Sequence, residues 1–317
     1  EEALSCFEEA IRLDPEYSVA WYNKAIALGE LERHEEAIAC YEEAIKWEPE
    51  YSDAWYNKGS SLASLERYEE AIACYEEAIR LDPEDSAVWN GKGIALASLE
   101  RYEEAIACYE EAIRLDPENS APRGNKGMAL DELEKYAEAI ACYEEVIKGE
   151  PENPKAWHNK GIALALLRKY EEAIACFDEA IKWEPEDSVV WDGKGLVLCE
   201  LEKYAEAIVC YDEAIRLDPE YSSSWRGKGI ALCELEKYAE AIQCCDEAIK
   251  WEPEHTDAWY NKALALGELE RYEEALSCYD EAIKLYPEYL LALYGKGNSL
   301  RKLGRDEEAE QCLAKAR

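Results

Sequence analysis

Three histidines, His34, His158 and His255, and thirteen cysteines are the side chains of this 317-residue chain best suited to acid–base, nucleophilic or metal chemistry. The histidines stand apart in sequence and share no spacing. No CxxC pair, Cys/His cluster with zinc spacing, glycine-rich phosphate loop or nucleophile motif accompanies them. Ten of the cysteines (Cys6, Cys40, Cys74, Cys108, Cys142, Cys176, Cys210, Cys244, Cys278 and Cys312) recur every 34 residues. They are copies of one packing position and read as reduced, buried thiols of a reducing, cytoplasmic compartment. Glutamate pairs such as Glu42 and Glu43 recur at the same interval, with Lys46 four residues after Glu42, which is a solvated helix face and not an acid/base dyad. The residues therefore point away from catalysis, with no metal and no cofactor expected, and toward binding.

A 34-residue interval governs the whole chain. Leu62 to Glu84 returns letter for letter at Leu96 to Glu118. Such a period is too long for one helix and too short for a domain, so each copy is one supersecondary element stabilised by stacking on its neighbours. With the frame at Ser18 the chain divides into a half repeat (1–17), eight full repeats (18–51, 52–85, 86–119, 120–153, 154–187, 188–221, 222–255 and 256–289) and a partial repeat (290–317), expected to form a single array over 1–317.

Within Ser18 to Tyr51, Trp21, Ala25, Leu28 and Leu31 fall at three- and four-residue spacings, and Ala37, Ile38, Tyr41, Ala44 and Ile45 do so again, giving two helices per repeat. Ser or Thr opens seven repeats, where a hydroxyl is expected to cap the first helix. Acidic residues open the second helix, and Asp-Pro or Glu-Pro ends it. Small residues (Ala25, Gly59, Gly93) face bulky ones (Trp55, Tyr75), a pattern for close helix packing.

Trp55, Gly59, Ala71, Tyr75, Ala78 and Pro83 follow the order of a tetratricopeptide repeat, and the chain resembles such an array along essentially its full length. The resemblance implies an all-α fold, a right-handed superhelical α-solenoid with first helices lining a concave wall. Two departures stand out. The family's usual Gly between paired helices is Glu32, Glu66, Glu100, Glu134, Arg168, Glu202, Glu236 or Glu270, with Gly only at Gly304, which predicts strain or a different turn. A lysine, Lys24 through Lys296, fills a usually apolar slot in every repeat and is expected to snorkel to a glutamate.

On the implied concave wall, the fifth residues vary most: Tyr22, Tyr56, Asn90, Gly124, His158, Asp192, Arg226, Tyr260 and Tyr294. The sixth residues give a broken row, Asn23, Asn57, Asn125, Asn159 and Asn261, interrupted by glycines. Asparagine both donates and accepts, so the row resembles those with which arrays of this family hold the backbone of an extended peptide. The alternative is local bonding within the helix. Candidate peptide-binding residues are these five asparagines with Tyr22, Tyr56, Tyr260, Tyr294, His158 and Arg226.

The net charge of −37 and isoelectric point near 4.4 disfavour nucleic acid and anionic membrane, and no apolar run is long enough to span a bilayer. The partner is expected to be a protein or extended peptide. Because the half repeat leaves Leu4, Phe7 and Ile11 partly uncovered, end-to-end self-association is also expected. Two other readings are a passive spacer or self-assembling scaffold, and the targeting region of a larger enzyme. The fourth repeat is the odd one: Arg123 stands where the others carry Trp, which reads either as a soft joint or, with Met128, as a binding hot spot.

Overall fold

The computed structural model describes residues 2–315. Glu1, Ala316 and Arg317, which bound the opening half repeat and the closing partial one, lie outside the described residues. The described residues form nineteen α-helices and no strand. They group into two compact units, Glu1–Pro151 and Glu152–Arg317. The first holds α1 (Glu2–Leu13), α2 (Ser18–Gly29), α3 (His34–Trp47), α4 (Ser52–Ser64), α5 (Tyr68–Leu81), α6 (Ser86–Ser98), α7 (Tyr102–Leu115), α8 (Ala121–Glu132) and α9 (Tyr136–Gly149). The second holds α10 (Pro154–Leu166), α11 (Tyr170–Trp183), α12 (Ser188–Glu200), α13 (Tyr204–Leu217), α14 (Ser222–Glu234), α15 (Tyr238–Trp251), α16 (Thr256–Glu268), α17 (Tyr272–Leu285), α18 (Leu290–Lys302) and α19 (Asp306–Lys315).

The start of six first helices differs from the sequence expectation. Ser18, Ser52, Ser86, Ser188, Ser222 and Thr256 are the first helical residues, so the capping position falls one residue earlier. Where that residue is Asp or Asn, its side chain caps: Asp85 accepts from the Ala87 N–H at 2.8 Å, Asp187 from Val189 at 2.9 Å and Asn153 from Ala156 at 3.1 Å. Freed from that task, some serine hydroxyls donate elsewhere. Ser18 reaches Glu48 at 2.6 Å, Ser120 reaches Glu150 at 2.5 Å and Ser222 reaches Glu252 at 2.5 Å, tying the start of a first helix to the exit of its paired second helix.

Tryptophan fixes the turn between repeats. The indole N–H of Trp21, Trp55, Trp89, Trp191, Trp225 and Trp259 donates to the carbonyl of the proline six residues earlier at 2.9–3.1 Å. Close by runs the lysine row. Lys24, Lys58, Lys92, Lys126, Lys194, Lys228 and Lys262 each reach, at 2.6–3.1 Å, the acid sixteen residues earlier on the second helix of the preceding repeat. Their side chains are only 17–22% exposed whereas the acids they reach are 51–61% exposed, the arrangement of a covered stem leading to a surface ion pair.

The core alternates aromatic rings with glycine. A Cβ on Gly93 would stand 2.5 Å from Tyr109, and one on Gly227 would stand 2.5 Å from Tyr211, so these two positions need glycine as they are packed. Tyr211 also lies under Gly195, which places one ring between the eighth residue of its own repeat and the sixth of the next. Leu4, expected to be partly uncovered, is buried with Ala25, Leu28 and Tyr41, whereas Phe7 and Ile11 stay half-buried.

Eight residues between paired helices, Glu32 through Glu270 with Arg168 among them, adopt left-handed backbone with φ of 57–59°, so the turn is kept and strained. Glu66→Gly and Glu100→Gly together are expected to raise stability by about 0.5–1 kcal/mol per site, the strain relieved exceeding glycine's extra chain entropy. A urea unfolding midpoint at or below wild type would contradict this.

Candidate interaction face on the first helices

The first helices leave a row of large apolar side chains in solvent. Ninth residues Ile94 and Met128 in the first compact unit, and Ile162, Leu196 and Leu264 in the second, are 38–52% exposed while the helices bearing them are otherwise packed. Apolar surface repeated at one helical phase, beside variable fifth residues, suits a partner's side chains.

The fifth and sixth residues are coupled in a way that neither position shows alone. Asn57 donates from Nδ2 to Tyr22 Oη at 3.1 Å and to the Asp53 carbonyl at 2.8 Å, and Asn125 donates to Asn90 Oδ1 at 3.0 Å. In both, the sixth residue of one repeat meets the fifth of the repeat before it, 35 residues back. Asn23, Asn159 and Asn261 are half-buried, and their side-chain amides make no hydrogen bond among the described residues. The glycines that interrupt the row are packing positions. A Cβ on Gly91, Gly193, Gly227 or Gly295 would press on the ring of Tyr75, Phe177, Tyr211 or Tyr279 respectively.

Aromatic pairs occur in both units. Tyr22 lies 4.7 Å from Tyr51 and 6.0 Å from Tyr41, and Tyr56 lies 5.9 Å from Tyr75, centroid to centroid. Burial raises the Tyr22 phenol's pKa, with the charge of Asp53 adding to it, and pushes Tyr51 up to about 12. In the second unit Tyr260 lies 5.2 Å from Tyr289, whose hydroxyl donates to Asp257 at 2.7 Å, and Tyr294 is exposed.

His158 and Arg226 both carry a buried nitrogen without a hydrogen-bond partner. His158 meets Phe177 edge-on at 5.7 Å, its Nδ1 is buried without a partner, and burial lowers its pKa so that the neutral ring prevails at neutral pH. Asp192 accepts from Ser224 Oγ at 2.7 Å and from Ser223 Oγ at 3.4 Å. Burial raises its pKa, an effect that Ser224 and the nearby charge of Arg226 oppose. The Arg226 Nε is buried with no acceptor. Asp192, Ser223 and Ser224 were not among the candidates; the pairing of a varied fifth residue with serines of the next repeat was the available signal.

Burial pushes the thiols of Cys74, Cys210 and Cys244 up to about 11, which keeps them protonated, and no group of three or more potential metal ligands exists among the described residues. No described helix is long and apolar enough to cross a membrane. The eleven candidates divide between the two compact units. Tyr22, Asn23, Tyr56, Asn57 and Asn125 belong to the first compact unit, and His158, Asn159, Arg226, Tyr260, Asn261 and Tyr294 to the second.

Tetratricopeptide repeat family models match residues 1–46, 22–75, 56–120 and 125–187, with further matches at 108–141, 227–255, 256–289 and 290–316 and a TPR repeat model at 195–232. No curated protein sequence matches. Among solved structures, YrrB, described as a TPR protein with an unusual peptide-binding site, is 25% identical, with a TM-score of 0.50 over 59% of this chain and 97% of that one. The Cut9–Hcn1 hetero-tetramer of APC/C gives 16% identity and a TM-score of 0.63 over 90% of this chain and 56% of the matched one. PilF of Pseudomonas aeruginosa gives 20% and 0.58 over 65% and 94%. The last two speak for the fold alone.

Proposed function

Because the chain belongs to the tetratricopeptide repeat family, whose models match it from residue 1 to 187 almost without a break, we propose that it is a protein-binding scaffold working as one array over 1–317, without chemistry of its own. A peptide or protein partner lies on the first-helix face. The observation that carries this reading is the exposed apolar row of Ile94, Met128, Ile162, Leu196 and Leu264, repeated at one phase of otherwise well-packed helices. The varied fifth residues supply selectivity, and the unbonded amides of Asn23, Asn159 and Asn261 are available to a partner's backbone. A peptide-binding site described for YrrB, of related fold and 25% identity, supports the same assignment.

Affinity capture tests it. The native chain is compared with one carrying Asn23, Asn57, Asn125, Asn159 and Asn261 all changed to Ala, and with an outer-helix control, Glu69→Ala and Glu103→Ala. The asparagine variant is expected to lose partners that the control retains. Identical capture by all three chains would remove the asparagine row from the binding surface.

A further inference from the structure

Two cavities open at the same place in the repeat, three repeats apart. One, of about 310 Å³, lies between α10 and α12; the other, of about 340 Å³, lies between α16 and α18. Corresponding positions line both, but the chemistry differs. The later cavity is lined by Leu264, Tyr279, Glu268, Glu270, Asn298 and Lys302. The earlier one is lined by Ile162, Leu166, Arg168, Phe177, Leu196 and Glu200.

Three departures from the repeat meet in the earlier cavity. The thirteenth residue is Ser, Glu or Lys elsewhere, yet here it is Leu166, 54% exposed. The fifteenth residue is glutamate in the seven other strained turns, yet here it is Arg168. The ring of the second helix is Phe177, where Tyr75, Tyr143 and Tyr211 carry a hydroxyl that bonds Ser60, Asp131 and Cys199 on the first-helix side. Each change taken alone is ordinary drift. Together they remove a hydroxyl from the floor, add an apolar wall and reverse the charge at one rim of a single cavity.

The charges at the mouth are available. Arg168 is exposed, and its guanidinium makes no hydrogen bond or ion pair among the described residues, unlike Arg67, Arg101, Arg216 and Arg271, which are paired with glutamates at 2.6–2.7 Å. Glu200 forms the opposite rim; the Tyr170 hydroxyl donates to its Oε2 at 3.2 Å, and among the described residues no cation meets it. Beyond it, the same turn positions of the next repeats hold the exposed carboxylates Glu202, Glu234 and Glu236, which also lack ion pairs among the described residues.

We propose that this cavity takes the bulky aliphatic side chain of a peptide segment that carries an acidic residue on one side of that anchor and basic residues on the other. The inference rests on the binding reading above and names its partner class. The anchor packs between Leu166 and Leu196 over Phe177, the acidic residue meets Arg168, and the basic residues run from Glu200 toward Glu234. In a chain of net charge −37, a solitary arginine at an apolar mouth selects for a carboxylate at that point, while the surrounding field favours a ligand that is otherwise basic.

The test uses the full chain and a displayed library of random peptides. Recovered peptides are measured against Leu166→Glu/Arg168→Glu, which installs residues that sister repeats already carry at these places and so leaves folding intact. Peptides joining an acid, an aliphatic residue and a base are expected to dominate and to lose affinity by about ten-fold or more, with a smaller loss on Phe177→Tyr. Peptides that bind this double variant as well as wild type but fail on Ile94→Ser/Met128→Ser would overturn the cavity and leave the first-helix face standing. Peptides indifferent to both variants, or none recovered, would overturn both.

Discussion

Replacing Tyr109 by Ala is expected to cost about 3–5 kcal/mol, the range for truncating a buried aromatic. The ring is 2% exposed and lies within the cluster formed by Leu96, Ala105, Cys108 and Ala129. Gly93 approaches so closely that even a methyl group there would collide with the ring, and glycine itself has no side chain to move into the space. In a stack of repeats the loss would loosen the contact of α7 with α6 and α8 together. The hydroxyl matters less. No hydrogen bond engages the Tyr109 Oη among the described residues, and Phe177 fills the same phase without one, so Tyr109→Phe is expected to stay within about 1 kcal/mol of wild type. Urea unfolding followed by circular dichroism reads both variants, and a cost below about 1 kcal/mol for the alanine would show that the ring does not lock the repeat.

Cys245 shows why this loss is not a property of the residue type alone. It occupies the aromatic phase of the seventh full repeat, is fully buried, and its Sγ would lie 3.2 Å from a Cβ on Gly229. There the smaller side chain is matched by its surroundings, with Asn261 rather than glycine at the sixth position of the next repeat. In the third full repeat they are shaped by Tyr109, and the cavity term is paid in full when the ring is removed.

Periodicity was enough to place the helices, because apolar residues at three- and four-residue spacing must share a face whatever the neighbours do. The pairing of Lys58 with Glu42 was also within reach, since a charged group in an apolar slot has few ways to remain solvated. The serine caps were misplaced by one residue. Sequence marks a hydroxyl near a helix start equally well for capping and for a bond across the repeat, and only the position of Glu48 distinguishes the two.

The site was less legible than the fold for a related reason. Its units of meaning join residues 35 apart, as Tyr22 and Asn57 or Asn90 and Asn125, so a row of sixth residues read alone mixes amides that are already bonded with amides that are not. Glycines in that row looked like missing ligands, yet Gly193 and Gly227 are where a ring of the preceding repeat comes through. Departures became informative only when the structure brought Leu166, Arg168 and Phe177, from three separate phases, to one cavity.

Arg123→Trp is the converse case, a substitution expected to add about 1–2 kcal/mol. Arg123 donates from Nη1 to the Pro117 carbonyl at 2.7 Å and to the Asn119 carbonyl at 3.4 Å. The first of these is the bond that the indole N–H makes in Trp21, Trp55 and Trp89, so the turn entering the fourth repeat is already held. What the arginine lacks is the broad apolar face. In sister repeats that face also lies under the lysine three residues on, at 5.8 Å for Lys58 over Trp55 and 5.6 Å for Lys262 over Trp259. Lys126 pairs with Glu110 at 2.6 Å but has no ring beneath it. Tryptophan would thus keep the hydrogen bond while adding buried area and a cation–π contact. Arg123→Ala, which gives up the bond and gains nothing, is expected to lower the urea midpoint. A tryptophan variant unfolding no later than wild type would mean that Pro122, buried at the start of α8, holds the helix where an indole cannot reach its place.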